Sequence, residues 1–186
     1  TDPTFLLTVP ALSGNFMKKI VAGVEAKGGF ATKLFRAGVE AGIRRNGDGH
    51  NRPGLFTRAV TWLPHAVAEV VIFRKVRETF GNRINFFVGG GALLDRGQQD
   101  FFRAIGLPVY QGYGLTEAAP IISANTPGAH KFGTSGKVAP TVTCRIIRDD
   151  GTEAAPSEAG EICVQGANVM AGYYKNEEAT AQTLRN

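Results

Sequence analysis

The sequence predicts a mixed α/β chain. Residues 1–133 read as part of a parallel-sheet α/β subdomain, and residues 134–186 as a β-rich, barrel-like portion. Three observations carry this. Residues 66–111 alternate helix-like, strand-like, glycine-rich, helix-like and strand-like segments, the rhythm of strands joined by crossover helices. Residues 12–24 and 31–45 carry helical periodicity. Beyond Gly133 two β-favouring runs flank Asp149-Asp150-Gly151 with no long helical pattern between them.

Each element has its own signal. Leu12, Phe16, Ile20 and Val24 recur every four positions, with Lys18 and Lys19 off that face, which predicts an amphipathic helix ending near Gly28-Gly29. Residues 31–45 predict a second helix with Leu34, Phe35, Val39 and Ile43 toward a core, weakened by Gly38 and Gly42. The stretch from Asn46 to Gly54 is rich in Gly, Asn, Asp and Pro and reads as a surface loop, a candidate for mobility. A third helix is expected over 66–79, stopped by Gly81-Asn82. Ile84–Val88 reads as a strand running into Gly89-Gly90-Gly91, Leu93–Ile105 as a helix, and Pro108–Gln111 as another strand. Val142–Ile147 and Glu161–Gln165 complete the β-favouring runs.

Composition narrows the class. An apolar share of 43% over 186 residues excludes disorder as the whole description. Glycine, 24 residues, is roughly twice the usual ~7% share. It follows no G-X-Y period and forms no Gly/Ser tract, so collagen and a simple linker are excluded. Residues 1–88 carry 13 basic and 6 acidic side chains, and residues 89–186 carry 8 and 10. The basic half suits phosphates, anionic lipid or nucleic acid, or it forms solvated helix faces bearing Lys18, Lys19, Arg44, Arg45, Arg74, Lys75 and Arg77. No helix-turn-helix or RNA-binding signature accompanies it, so nucleic acid is not expected as a partner. Cys144 and Cys163 form no CxxC and read as buried, reduced thiols, and His50, His65 and His130 are too dispersed for a local metal site. There is no run of about 18 apolar residues, and Thr1-Asp2-Pro3 begins neither with Met nor as a signal peptide. The expected location is cytoplasmic.

Two glycine clusters follow the predicted strands: Gly89-Gly90-Gly91-Ala92 and Gly112-Tyr113-Gly114-Leu115-Thr116-Glu117. Loops leaving the carboxyl ends of parallel strands gather where ligands bind, and glycine lets backbone N–H groups approach a ring or phosphate. The first cluster is also expected to open a helix whose N-terminus favours negative charge. Standard fingerprints fail here. Glu117 stands where a GxGxxG motif needs its last glycine, and Gly133-Thr134-Ser135-Gly136-Lys137-Val138 lacks Walker spacing. Tyr113 offers a flat face to a base, Thr116 a hydroxyl to a phosphate, and Glu117 a carboxylate to Mg²⁺. The alternatives remain tight turns for the glycines, a core aromatic for Tyr113 and a solvated carboxylate for Glu117.

On these residues the chain resembles a known family. Gln111-Gly112-Tyr113-Gly114-Leu115-Thr116-Glu117 is similar to the Tyr-Gly-x-Thr-Glu motif of the adenylate-forming (AMP-binding) superfamily. Phe87–Leu94 resembles that family's glycine-rich adenine and acyl loop, in which one glycine is often serine. Gly160-Glu161-Ile162, followed by Met170-Ala171-Gly172-Tyr173-Tyr174, resembles its Gly-Glu-Ile…Met-x-Gly-Tyr-Tyr segment. Thr8-Val9-Pro10-Ala11 and Arg74-Lys75-Val76-Arg77 further resemble the bacterial long-chain fatty acyl-CoA synthetase branch.

The resemblance implies a two-step reaction. A carboxylate attacks the α-phosphate of ATP to give an acyl-adenylate and pyrophosphate, then coenzyme A displaces AMP. Tyr113 would stack on adenine, Thr116 contact the α-phosphate and Glu117 bind Mg²⁺. Gly89, Gly90, Gly91 and Ala92 would line the adenine and acyl groups, with Gln111, Gly112 and Gly114 beside them and Gln111 near the base edge. Glu161 and Met170–Tyr174 would hold the β-rich portion together rather than touch substrate. The implied small molecules are fatty acid, ATP or AMP, coenzyme A and Mg²⁺.

The family's phosphate loop, its ribose-binding Thr-Gly-Asp and its C-terminal lysine find no match within 1–186. The expectation is therefore an interior piece of the large N-terminal domain, inactive as a ligase by itself. Peripheral association with the inner face of a membrane accompanies a fatty substrate. Rival expectations are another acid:thiol ligase or adenylation domain and, in a different class, a non-catalytic module docking to a membrane or partner.

Overall fold

A computed structural model describes residues 3–51, 53–81 and 83–185. Thr1-Asp2, Arg52 of the predicted loop, the Asn82 half of the expected helix stop and Asn186 lie outside the described residues. Two compact units emerge: residues 1–112 with 125–136, and residues 113–124 with 137–186. The sequence suggests a single boundary at 133/134. Residues 125–136 belong with the first unit because their side chains and backbone are tied into it. Phe132 is buried, its carbonyl accepts from the Arg96 guanidinium at 3.0 Å, and the Gly133 N–H donates to Gln99 Oε1 at 3.1 Å.

The first unit begins with β1 (Phe5–Thr8), a short strand that the sequence reading does not include, followed by α1 (Pro10–Glu25). Pro10 fits the first helical turn, where its missing N–H costs no bond. Helix α2 spans Gly29–Asn46 and ends at Gly47, whose φ of 59° suits glycine. Helix α3 (Leu55–Ala68) runs through a π-helical turn, Glu69–Phe73, into α4 (Arg74–Glu78). The expected third helix therefore starts eleven residues early. Pro64 inside it masks the signal, since proline normally ends a helix. Strand β2 (Phe86–Gly89), helix α5 (Arg96–Ala104) and strand β3 (Val109–Tyr113) follow. β1 pairs with β2, and β2 with β3, both in parallel, with Leu7 opposite Val88 and Gly89 opposite Gln111.

Phenylalanine fills the core. Phe35 meets Phe73 edge-on at 5.9 Å, Phe101 meets Phe102 at 5.3 Å, and Phe102 meets Phe87 at 5.7 Å, the geometry aromatic quadrupoles favour. Gly38 and Gly42 are not merely weak helix residues. A Cβ at Gly38 would overlap the Cβ of Ala68, and one at Gly42 would lie 2.8 Å from the Ala104 Cβ. They let α2 press against α3 and α5. Arg77, expected on a solvated face, is instead half-buried. It forms an ion pair with Glu69 and donates to the Ile105 carbonyl at 2.8 Å. That pairing holds the Glu69 carboxyl below its ordinary range. Within the predicted loop, residues 48–51 are tied down: the Asp48 carboxylate accepts from the His50 and Asn51 N–H groups, and the Asp48 carbonyl from Phe132.

The second unit is β-rich, as expected. It holds a 3₁₀ turn (Thr116–Ala118), β4 (Ser123–Ala124) antiparallel to β5 (Lys137–Val138), and β6 (Val142–Ile147) antiparallel to β7 (Glu161–Gly166). It closes with the short helix α6 (Glu177–Thr183), capped by Asn176, which the sequence reading leaves out. Cys144 pairs with Val164 and Cys163 with Arg145, so the thiols point to opposite faces of the hairpin. Both are free and half-buried rather than fully buried.

Candidate functional site

In the first unit the candidate loop leaves the carboxyl end of β2. Gly89 is buried, and a Cβ there would lie 3.3 Å from Val109 Cγ1, a tight fit that a larger residue could enter only if that side chain shifted. Gly91 takes a φ of 81°, which favours glycine. Gly90 is different: a Cβ would meet nothing within 4 Å, and its φ is not positive. Its N–H donates to the Thr8 carbonyl at 3.2 Å, so it is not free for a phosphate. Among the described residues, the N–H groups of Gly91, Ala92 and Leu93 have no partner. Those three, on an exposed turn, are the donors the loop offers.

Gln111 is buried, and its side-chain oxygen accepts the Leu94 N–H at 3.1 Å. It is a latch that fixes the far end of the glycine loop against β3, where Gly112 is also buried. The expected helix opening on this loop is corrected. Helix α5 starts only at Arg96, and the Asp95 carboxylate caps it by accepting the Gln98 N–H at 3.1 Å. The cap satisfies that helix end with the chain's own anion.

In the second unit the Tyr113–Glu117 segment makes a tight turn. Tyr113 is half-buried against the small apolar cluster of Ala118, Ile122 and Val142, and its carbonyl accepts the Ile122 N–H at 2.8 Å. A Cβ at Gly114 would overlap the Pro120 carbonyl oxygen, so this glycine is dictated by the chain's own backbone. Thr116 and Glu117 open the 3₁₀ turn. The Thr116 hydroxyl is exposed and has no partner among the described residues.

Glu117 is braced twice. Its carbonyl accepts the Met170 N–H at 2.8 Å, and its carboxylate accepts the Tyr173 hydroxyl at 2.7 Å. The Tyr173 hydrogen bond holds the Glu117 carboxyl below its ordinary value and raises the Tyr173 hydroxyl's. Nearby, Asn168 Nδ2 donates to the Ala118 carbonyl at 2.8 Å. Tyr173 is the neighbour of Glu117 that the sequence reading does not pair with it. Its signal is the Met-x-Gly-Tyr-Tyr run, read there only as structural.

The donor chemistry fits Mg²⁺ rather than a cation caged by protein. One ionised carboxylate is present, and no group of three or more His, Cys, Asp or Glu side chains could hold a metal among the described residues. Mg²⁺ characteristically takes one or two carboxylates and completes its shell with water and phosphate oxygens.

Residues 1–174 match the family described as AMP-binding enzyme. The chain is 36% identical over 132 residues to the long-chain-fatty-acid–CoA ligase FadD15 of Mycobacterium bovis. That alignment covers 71% of this chain and 20% of the relative, so the chain spans about a fifth of that relative's length. Among solved structures, it resembles an o-succinylbenzoate coenzyme A synthetase from Bacillus subtilis in complex with ATP and magnesium ion. The identity is 34%, the TM-score 0.51, and the match covers 56% of this chain and 22% of the other. An anthranilate CoA ligase, AuaEII, in complex with anthranoyl-AMP shares the fold at TM-score 0.55 and 16% identity, covering 97% of this chain and 25% of the other.

Proposed function

Because the chain belongs to the AMP-binding enzyme family, we propose that it is part of an ATP-dependent long-chain fatty acid:CoA ligase. In that enzyme a fatty carboxylate is activated as its acyl-adenylate and passed to coenzyme A. The observation that carries this reading is the Glu117 carboxylate, kept ionised and aimed by the Tyr173 hydroxyl beside the unpartnered Thr116 hydroxyl. Glu117 would hold Mg²⁺. When bound, that ion offsets the phosphate charge and makes the α-phosphorus more electrophilic. The Thr116 hydroxyl donates to a phosphate oxygen, and the half-exposed Tyr113 ring offers a stacking face for adenine. In the first unit taken by itself, Gly91 and Ala92 offer free N–H donors to a polar ligand, on a loop that Gln111 keeps in place. Similarity to FadD15 favours a long-chain fatty acid over an aromatic acid.

In the longer protein, Glu117→Gln should lower fatty-acid-dependent ATP–pyrophosphate exchange by roughly 100-fold. Unchanged exchange would remove Glu117 from the reaction. Tyr173→Phe should raise the Mg²⁺ concentration for half-maximal rate by about tenfold while leaving the rate at saturating Mg²⁺ near normal. A panel of fatty and aromatic acids separates this activity from other acid:CoA ligases. The 186 residues by themselves should form no acyl-CoA, since they span only a fifth of the length of the relative FadD15.

A further inference from the structure

Within the second unit, the Thr116–Ala118 turn is held at three points by one later stretch of chain. The Met170 N–H donates to the Glu117 carbonyl at 2.8 Å, and Asn168 Nδ2 donates to the Ala118 carbonyl at 2.8 Å. The Tyr173 hydroxyl donates to the Glu117 carboxylate at 2.7 Å. The first two bonds fix backbone. Asn168 leaves its own oxygen unsatisfied in doing so, for Oδ1 is buried and has no partner among the described residues. An orphaned polar atom costs about 1–3 kcal/mol, so the orientation of this amide is set by the donor it presents to the turn. With the backbone fixed, the freedom that remains belongs to the Glu117 side chain, and Tyr173 restrains it.

Tyr173 needs an anchor of its own, since it lies outside any helix or strand. That anchor is α6. The Tyr173 N–H donates to Thr180 Oγ1 at 2.9 Å, and the Thr180 hydroxyl donates to the Asn176 carbonyl at 2.7 Å. One hydroxyl therefore ties the tyrosine to the residue that caps the helix, whose side chain accepts the Ala179 N–H at 3.0 Å. The approach is close. A Cβ at Gly172 would lie 2.9 Å from Thr180 Cγ2, and the Gly172 φ of 150° further disfavours any other residue. Thr183, three positions along α6, acts on the far end of the same tyrosine. Glu117 raises the value of the Tyr173 hydroxyl, and the Thr183 side chain pulls it back.

We propose that Thr180 is a positioning residue for the Mg²⁺ carboxylate: it holds Tyr173, and Tyr173 aims Glu117. The proposal rests on the reading of Glu117 as the Mg²⁺ ligand. It stands on hydrogen bonds within the second unit alone. Hydrogen-bond partners of a metal-ligating group typically change metal affinity by about 10–100-fold when mutated. Thr180 acts one bond further out, so its effect is smaller.

The test uses the longer protein and two readouts. Isothermal titration calorimetry, without fatty acid, follows a non-hydrolysable ATP analogue with and without Mg²⁺. ATP–pyrophosphate exchange follows the Mg²⁺ midpoint. Thr180→Val keeps the branched shape and removes the hydroxyl. It should weaken Mg²⁺-dependent binding by about fivefold and raise the midpoint by a similar factor. Binding without Mg²⁺ should not change, and the rate at saturating Mg²⁺ should fall by less than about twofold. Thr180→Ser, which keeps the hydroxyl, should restore both readouts. Gln182→Ala, at an exposed position of the same helix, should alter neither. Because Thr180 and Tyr173 act in series, the double variant with Tyr173→Phe should shift the midpoint no further than Tyr173→Phe alone. A midpoint does not depend on how much folded enzyme is present, so a less stable Thr180→Val protein still answers the question. A normal midpoint in Thr180→Val, shifts that multiply in the double variant, or no rescue by serine would overturn the inference and leave Glu117 as the ligand. If Glu117→Gln itself leaves the Mg²⁺ dependence of analogue binding unchanged, the metal reading falls, and this inference with it.

Discussion

Gly38 and Gly90 lie in the same compact unit and lack side chains for opposite reasons. Gly38 is surrounded, because α2 could not approach α3 with a methyl group between them. Gly90 faces open space, and nothing in the chain forbids a larger residue there. Gly42 and Gly114 belong with Gly38, for their absent Cβ atoms are replaced by the chain's own neighbours. A glycine excess therefore does not mark a ligand site by itself. A glycine free of packing demands, such as Gly90, is where a ligand role can be tested without disturbing the fold.

That contrast can be broken at its packed end. Gly114→Ala would place a methyl group on the Pro120 carbonyl oxygen, a backbone atom that cannot rotate away. The expected cost is above about 3 kcal/mol, the upper range for overpacking, with loss of the cooperative transition of the second unit in urea. Gly38→Ala should be milder. Helix propensity favours alanine by about 1 kcal/mol, while the overlap with Ala68 and Phe73 costs more. A net loss of about 1–2 kcal/mol is expected in chemical denaturation. A gain in stability from Gly38→Ala would show that the helices do not approach as closely as described.

Much of this architecture was legible in the residues. The four-residue spacing from Leu12 to Val24 placed α1, and the runs at 142–147 and 161–165 placed β6 and β7 within a residue. What escaped was information that sits far along the chain or cancels locally. The amino-terminal half of α3 was hidden because Pro64 breaks the helical signal and its exposed apolar residues remove the usual polar contrast. Gly38 and Gly42 looked destabilising because propensity is local, whereas their partners, Ala68 and Ala104, lie 30 and 62 positions away. At the candidate site, Thr116 and Glu117 could be paired from adjacency alone. Tyr173 could not, since 56 residues separate it from the carboxylate it holds.

A smaller effect probes what the first unit's polar packing adds to its glycine contacts. His130 accepts from the Arg103 guanidinium at 2.6 Å and covers Gly49. Burial first, and then the Arg103 charge, pulls the His130 value below the ordinary histidine range. As pH falls below about 6.5 the unfolded chain takes up this proton before the folded one does. Stability is then full above that pH and declines below it. Replacing His130 with Gln should flatten the decline in thermal unfolding measured between pH 7.5 and 5. A wild-type profile that rises on acidification would contradict the half-buried neutral imidazole.

The smallest expected change in stability is the most informative. Gly90→Ala meets no atom within 4 Å and needs no unusual backbone angle. The only foreseeable effect on folding is a slight gain of about 0.4–1 kcal/mol, because alanine restricts the unfolded chain. If the glycine is kept open for an adenylate lying across the loop, the same methyl group should slow adenylation in the longer protein, with Gly90→Val slowing it further at unchanged stability. Exchange that stays normal in both variants would mean that Gly90 is simply a tolerated turn residue. The donor role would then fall to the free N–H groups of Gly91, Ala92 and Leu93. A loss of activity with intact folding is the one result that the packed glycines cannot produce, since every substitution at Gly38 or Gly114 disturbs the fold first.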